Sequence, residues 1–263
     1  MSDDSSSNSP PLDVAALEGA LQGLRLGAPL VYFPALPSTN TYAAQLAQEG
    51  TPEGTLVTTD DQSAGRGRIG RTWKSLPGRQ LALSLVLRPA FPPHFLVMAS
   101  AVAVAEAIEE GTGLRAEIKW PNDVQITGRK VCGILIETSP GYTVLGIGVN
   151  VNGSLSGDAE LAAHATTLAD ASGHAIAREA LAAALLRRLD ALYGALKTGG
   201  DPDRAVLRDM WRARLITLGR RVTIAQQETT LVGDAEDVDA DGALLLRLDD
   251  GTRRTVTWGD VSS

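Results

Sequence analysis

Residues 61–74, DQSAGRGRIGRTWK, constrain this chain more than any other stretch. Gly65, Gly67 and Gly70 alternate with Arg66, Arg68 and Arg71, and Trp73 closes the run. The glycines spell GxGxxG, but a dinucleotide-binding turn needs a helix opening directly from them, with the pyrophosphate at its N-terminus. No helix pattern follows. Lys74 leads into Ser, Leu, Pro and Gly, a turn-forming cluster, and then into residues 81–87 (LALSLVL), a continuous apolar run that reads as a buried strand. The setting is strand, basic loop, strand. Glycine lets main chain approach an anion closely, successive N–H groups in a turn form an anion receptor, and arginine adds a fork matched to phosphate or carboxylate. By composition alone, a solvated Gly/Arg turn or an RNA-binding tract fits the same residues.

Around this loop the pattern is α+β. Residues 12–26 carry apolar positions spaced for a short helix, and VYFPALPSTNTYAAQLAQEG gives a strand start followed by a helix entered through Ser38, Thr39 and Asn40. Such a trio caps a helix, and its outward N–H groups also suit a small polar head group. Residues 55–59 read as a strand into the basic loop and 94–110 as a buried helix. Residues 114–120 read as a strand, VQIT with KVCGILIE as a hairpin, and YTVLGIGVNV as a further strand. Residues 177–197 and 202–215 read as helices. After Gly219 short strands separated by Gly and Asp turns suggest a small antiparallel barrel. Strands crowd the middle and helices the flanks, which favours α+β over an alternating parallel sheet. The expected organisation is a disordered tail at 1–11, a catalytic domain at 12–216 and a barrel at 217–263.

Several functions are disfavoured. A formal net charge of −7 argues against a general nucleic-acid binder, so the positive charge is local. The lone Cys132 leaves no intrachain disulfide framework or multi-cysteine zinc site, and its apolar neighbours suggest a packed thiol. His94, His164 and His174 are far apart in sequence and suggest neither a metal cluster nor a histidine-based triad. The acidic residues 234–241 lack calcium-loop spacing. No apolar run is long enough to span a bilayer, and the first residues are unlike a secretory signal, so the expected setting is the cytoplasm without membrane association.

Five pieces in order carry a resemblance: Ser38-Thr39-Asn40, DQSAGRGRIGRTW, KWPNDV (119–124), KVCGILIE (130–137) and GIGVNV (146–151). Together they resemble the biotin protein ligase family, in a form lacking the N-terminal DNA-binding domain that some members carry. The resemblance implies a mixed central β-sheet flanked by helices, of the class II aminoacyl-tRNA synthetase and biotin ligase kind, with a small C-terminal barrel like Src-homology-3. It implies activation of biotin with MgATP to biotinyl-5′-AMP, then transfer to a lysine of a biotin carboxyl carrier domain of acetyl-CoA carboxylase or a related carboxylase. No nucleic-acid partner is expected, and family precedent allows a monomer or a homodimer. A lipoate-type ligase, a non-catalytic biotin-sensing regulator and a carrier-binding module are the rival readings.

Carried over by resemblance, the biotin-site positions are Ser38, Thr39, Asn40, Gln62, Arg66, Gly67, Arg68, Lys130, Gly133 and Gly146. The nucleotide positions are Arg66, Arg68, Arg71, Trp73, Asn122 and Asn150. Lys130, Arg68 and Asp123 are the catalytic candidates, with Asp123 near Mg2+. Physically, two anions meet when a carboxylate attacks an α-phosphate, so the site must hold positive charge where negative charge accumulates. No separate nucleophile is needed, because biotin's own carboxylate attacks.

Overall fold

A computed structural model of the chain describes residues 10–74, 76–226 and 229–262. The expected tail lies mostly outside the described residues. Pro10 is described, and its carbonyl accepts a hydrogen bond from Arg178 at 2.8 Å.

In chain order the elements of the larger domain are α1 (Val14–Ala20), β1 (Leu30–Leu36), α2 (Thr39–Gln48), β2 (Leu56–Gln62), β3 (Gln80–Leu87) and α3 (Pro93–Thr112). There follow β4 (Glu117–Lys119), β5 (Asp123–Ile126), β6 (Arg129–Ser139), β7 (Tyr142–Asn150), α4 (Ala159–His164), α5 (Leu168–Ser172), α6 (Arg178–Thr198) and α7 (Asp201–Arg212). Seven strands form one mixed sheet in the order β1-β2-β3-β7-β6-β5-β4. β1 and β2 run parallel, and every other neighbouring pair is antiparallel. The C-terminal region adds β8 (Arg221–Gln226), β9 (Thr229–Val238), β10 (Leu244–Leu248), β11 (Arg253–Val256) and β12 (Asp260–Ser262) as an antiparallel sheet ordered β11-β10-β9-β8-β12.

The buried strand β3 shows how one sequence serves two faces. Side chains alternate across a strand. Leu81, Leu83, Leu85 and Leu87 join the main core with α3 and α6, while Val86 joins a second cluster with Ala43 and Ala47 of α2, Val57 of β2 and Val144 of β7. Ser84 shares the α2 face and meets Thr39 and Asn40. The sheet is therefore covered on both faces, with α2 covering only part of one. The space beside α2 is where the site lies.

Some boundaries differ from expectation for local reasons. The expected 12–26 helix is short, because the chain leaves α1 at Leu21 and turns at Gly23, whose φ is +84. The strand expected over 114–120 contracts to β4. Its Ile118 N–H donates to Arg214 and its carbonyl accepts from Ile216, so the end of the α7 connection covers that edge. The short helices α4 and α5 lack a long apolar stripe. Each is started by a side-chain cap, Asp158 and Thr167 respectively.

Candidate functional site

The cleft's floor is a row of small residues across three strands. Ala82 of β3 stands opposite Gly148 of β7, and Gly148 opposite Gly133 of β6. A Cβ at Gly148 would come within 2.7 Å of the Trp73 ring, and one at Gly133 within 2.9 Å, so the indole lies on bare backbone. Its Nε1 donates to Gln80 Oε1 at 3.1 Å. Gln80 is buried, and its Nε2 has no hydrogen-bond partner among the described residues, which leaves a fixed donor open beside the indole.

The wall is the start of α2. Ser38 caps the helix by accepting from the Thr41 N–H. Thr39 donates its N–H and its hydroxyl to Gln62 Oε1, at 2.9 and 3.1 Å. The buried Ser84 hydroxyl lies 2.8 Å from the Thr39 hydroxyl and 2.6 Å from Asn40 Oδ1. Asn40 Nδ2 donates to Glu137 Oε2 at 2.9 Å. With a hydroxyl at its acceptor end and a carboxylate at its donor end, the Asn40 amide has one orientation. Gly146 is the close-approach position beneath it, since a Cβ there would lie 2.2 Å from Asn40 Oδ1.

The basic loop forms the roof. Arg66 and Thr72 pair as an isolated antiparallel bridge, and the Gly67 N–H donates to the Arg71 carbonyl at 2.7 Å. The tip is one 3-10 turn, Arg68–Gly70, in which Ile69 holds a left-handed φ of 56 and is 57% exposed. No α-helix opens from the glycines, as the sequence argument required. Four cations converge here. Arg66 pairs with Glu137 Oε1 at 2.5 Å, Lys130 Nζ with Asp123 Oδ1 at 2.7 Å, and Arg71 with the Asp260 carboxylate of β12. Arg68 instead donates to a neutral partner, Asn122 Oδ1, at 2.6 Å, and Asn122 is fixed by its own bond to the Ile134 carbonyl at 2.7 Å. Lys130 Nζ also stands 5.7 Å from the Trp73 ring centroid.

Burial lowers the Arg68 guanidinium's pKa below the usual arginine range, against the opposing pull of Asp123 and Asp260. Arg71 is raised, first by its hydrogen bond to Asp260. At Asp260 burial pushes upward, but the Arg71 bond and charge prevail and the carboxyl is lowered. The thiol of Cys132 is pushed up by complete burial, which makes it a packed side chain rather than a nucleophile.

Nearly every residue singled out in the sequence lines this cleft, from Ser38, Thr39, Asn40 and Gln62 through the loop to Asn122, Asp123, Lys130, Gly133 and Gly146. Asn150 does not. It is buried at the end of β7, donates to the Thr166 carbonyl at 3.3 Å, and stands opposite Gln80 in the strand register. The sequence reading missed Ala82, Ser84 and Gln80, which alternation along β3 places on one face. It also missed the partner role of Glu137, and Gly259 and Asp260, which the C-terminal sheet brings to the cleft mouth. No signal in the sequence ties Asp260 to Arg71 across that separation.

The bifunctional ligase/repressor BirA of Bacillus subtilis is 36% identical over 239 residues, spanning 87% of this chain and 72% of its own. The biotin--[acetyl-CoA-carboxylase] ligase of Mycobacterium tuberculosis is 33% identical over 262 residues, spanning 96% of each chain. The chain belongs to the biotin protein ligase family. The family model described as "Biotin/lipoate A/B protein ligase family" matches residues 32–154, and "Biotin protein ligase C terminal domain" matches 217–262. Among solved structures, the biotin protein ligase from Aquifex aeolicus in complex with biotin and ATP superposes with a TM-score of 0.78 at 28% identity, over 89% of this chain and 97% of that one. The expected family, α+β fold and biotin protein ligase class are borne out.

Proposed function

We propose that this biotin protein ligase joins the carboxylate of biotin to the α-phosphate of ATP in the cleft, releasing pyrophosphate. The lysine amine of a carrier domain then attacks the acyl carbon and releases AMP. The observation that carries this reading is the placement of four cations beside a glycine floor with a fixed polar wall. An apolar bicyclic ligand can lie between the α2 wall and the Trp73 indole that covers the glycine floor, with its polar edge met by Ser38, Thr39 and Gln62.

In the first step a carboxylate oxygen bonds to phosphorus while the bond to the leaving pyrophosphate breaks. Negative charge gathers on the phosphoryl oxygens. Lys130 and Arg68 are assigned to that charge, Lys130 because its ammonium exchanges one carboxylate partner, Asp123, for another. Arg68 is assigned because its present partner is neutral and costs little to leave. Arg71 is assigned to the outer phosphates and Trp73, with Gln80 and Asn150 behind it, to the purine. Gly67 and Gly133 give main chain close to the ligand. Mg2+ characteristically binds substrate phosphates with one or two carboxylates. That suits Asp123, since the described residues contain no group of three or more metal-ligating acidic, histidine or cysteine side chains.

The acceptor is assigned to the biotin carrier of acetyl-CoA carboxylase, on the strength of relatives named for that acceptor. The cytoplasm is the proposed location, and no helix among the described residues is long and apolar enough to cross a membrane. The test is biotin-dependent exchange of labelled pyrophosphate into ATP, run in parallel with lipoate. Exchange with biotin alone supports the reading. Exchange with lipoate alone overturns the substrate, and exchange with neither overturns the activation step.

A further inference from the structure

Glu137 is a partly buried carboxylate on β6 that does not line the cleft, yet it joins the wall of the cleft to its roof. Its Oε2 accepts from Asn40 Nδ2 at 2.9 Å, and its Oε1 accepts from Arg66 at 2.5 Å. The Asn40 side is rigid. Asn40 is 5% exposed, its Oδ1 is held by the fully buried Ser84 hydroxyl at 2.6 Å, and Gly146 leaves it no spare room. The Arg66 side is less constrained: Arg66 is half-exposed and stands in a loop tied elsewhere by the bridge to Thr72, by Arg68 on Asn122 and by Arg71 on Asp260, none of which holds the Arg66 side chain itself.

We infer that Glu137 is a positioning residue, which fixes the loop's closed position at the head-group end of the cleft by holding Arg66 against the immobile Asn40. The inference rests on the proposed function only for what the closed loop encloses. The contact itself is made by side chains of this chain alone. An ion pair this exposed contributes little to global stability. Its effect is on where the loop spends its time, and so on how long a ligand beneath it stays. The carboxylate suits this work because each oxygen serves one partner, one on the rigid wall and one on the loop.

Two measurements on the full chain test it, one of them independent of any ligand. In the first, limited trypsin cleavage at Arg66, Arg68 and Arg71 is followed without ligands in the parent and in Glu137→Ala, with melting temperature measured alongside. Loop cleavage should rise about fivefold, the ratio expected for loss of a contact of this kind, while the melting temperature stays near the parent's. In the second, pyrophosphate exchange is measured for Glu137→Ala, Arg66→Ala and the double variant. The KM for biotin should rise about fivefold in Glu137→Ala with kcat within about twofold, and adding Glu137→Ala to Arg66→Ala should change little more. Parental cleavage in Glu137→Ala overturns the inference, as does a full additional KM effect in the Arg66→Ala background, which would mean that Glu137 acts through Asn40 alone. Absence of biotin-dependent exchange in the parent would count against the proposed function, and the cleavage result would still decide the role of Glu137.

Discussion

Asp60 and Gln62 stand two residues apart on β2, and they belong to two charged regions built in opposite ways. Asp60 lies in a closed centre. Arg178 donates to its Oδ1 at 2.5 Å, the Tyr32 hydroxyl donates to its Oδ2 at 2.7 Å, and the Leu12 N–H reaches the same oxygen at 3.1 Å. The side chains of the ion pair are 6% and 11% exposed. Gln62 belongs to the cleft, where the Lys130–Asp123 pair is 32% and 25% exposed and the Arg71–Asp260 pair 61% and 48%. Both regions match cations with carboxylates. The closed centre has spent its charges on joining the N-terminal segment, β1, β2 and α6, whereas the cleft's cations keep solvent access and can change partners. Ion pairing alone therefore does not mark a functional site, and what distinguishes the proposed one is that its ion pairs are partly exposed.

The largest effect that would break this comparison is on stability. Asp60→Asn leaves the Arg178 guanidinium buried without its counter-charge, a loss of about 3 to 5 kcal/mol. The urea midpoint should fall accordingly, while pyrophosphate exchange per folded molecule stays near parental. If exchange collapses and the midpoint does not move, the closed centre is part of the site and the distinction fails.

Lys130→Ala tests the other half. The proposed contact between its ammonium and the ligand carboxylate is one whose removal typically costs about 2 to 5 kcal/mol, or roughly 30-fold to several-thousand-fold in rate. Folding should be little changed, because the Lys130–Asp123 pair is partly exposed. Biotin-dependent exchange should be nearly lost at a near-parental melting temperature, and Lys130→Arg should restore it only in part. Near-parental exchange in Lys130→Ala would remove Lys130 from the reacting centre.

The two regions also differ in how far they could be read beforehand. The cleft was legible because its chemistry is local: the glycines and arginines of 65–71 adjoin, and GIGVN puts Gly146 and Gly148 on one face by alternation alone. The closed centre was not, since nothing in residues 10–12, 32, 60 and 178 marks them as neighbours until the chain is folded. Within the cleft the same limit applies. Asp260 enters from the C-terminal sheet, and Glu137 was visible as the end of KVCGILIE but not as the partner of Asn40 and Arg66. Helices and strands with strong periodicity came through, β4 among them in shortened form, and the short capped helices α4 and α5 did not.

Trp73 sharpens the comparison inside the cleft. Its ring rests on Gly133 and Gly148 with one face against backbone, so under the proposed function a purine would have to stack on the other face. Trp73→Ala should weaken ATP or adenylate binding by about 1 to 3 kcal/mol, the scale of base stacking on an aromatic ring, and biotin binding without nucleotide much less. Calorimetric titration of the variant with each ligand separately measures both. Equal losses would mean that the indole supports the loop as a whole.

The smallest effect lies back in the closed centre and is read through pH. Burial, and then the hydrogen bond to Asp60, push the Tyr32 phenol up to about 12 from an ordinary value near 10. The fold thus favours the protonated phenol. Its stabilising contribution is complete below about pH 10, where the unfolded chain's tyrosine is also protonated, and is lost as pH rises through about 12. Tyr32→Phe removes the hydrogen bond and should cost about 1 kcal/mol at neutral pH, the usual net worth of such a bond at a half-buried site. Urea midpoints of parent and variant compared from pH 7 to pH 12 should show a constant gap up to about pH 10 and a narrowing gap above it. A gap that persists unchanged to pH 12 would mean that the phenol titrates alike in the folded and unfolded chain, and that Asp60 is held by Arg178 and the Leu12 N–H without help from β1.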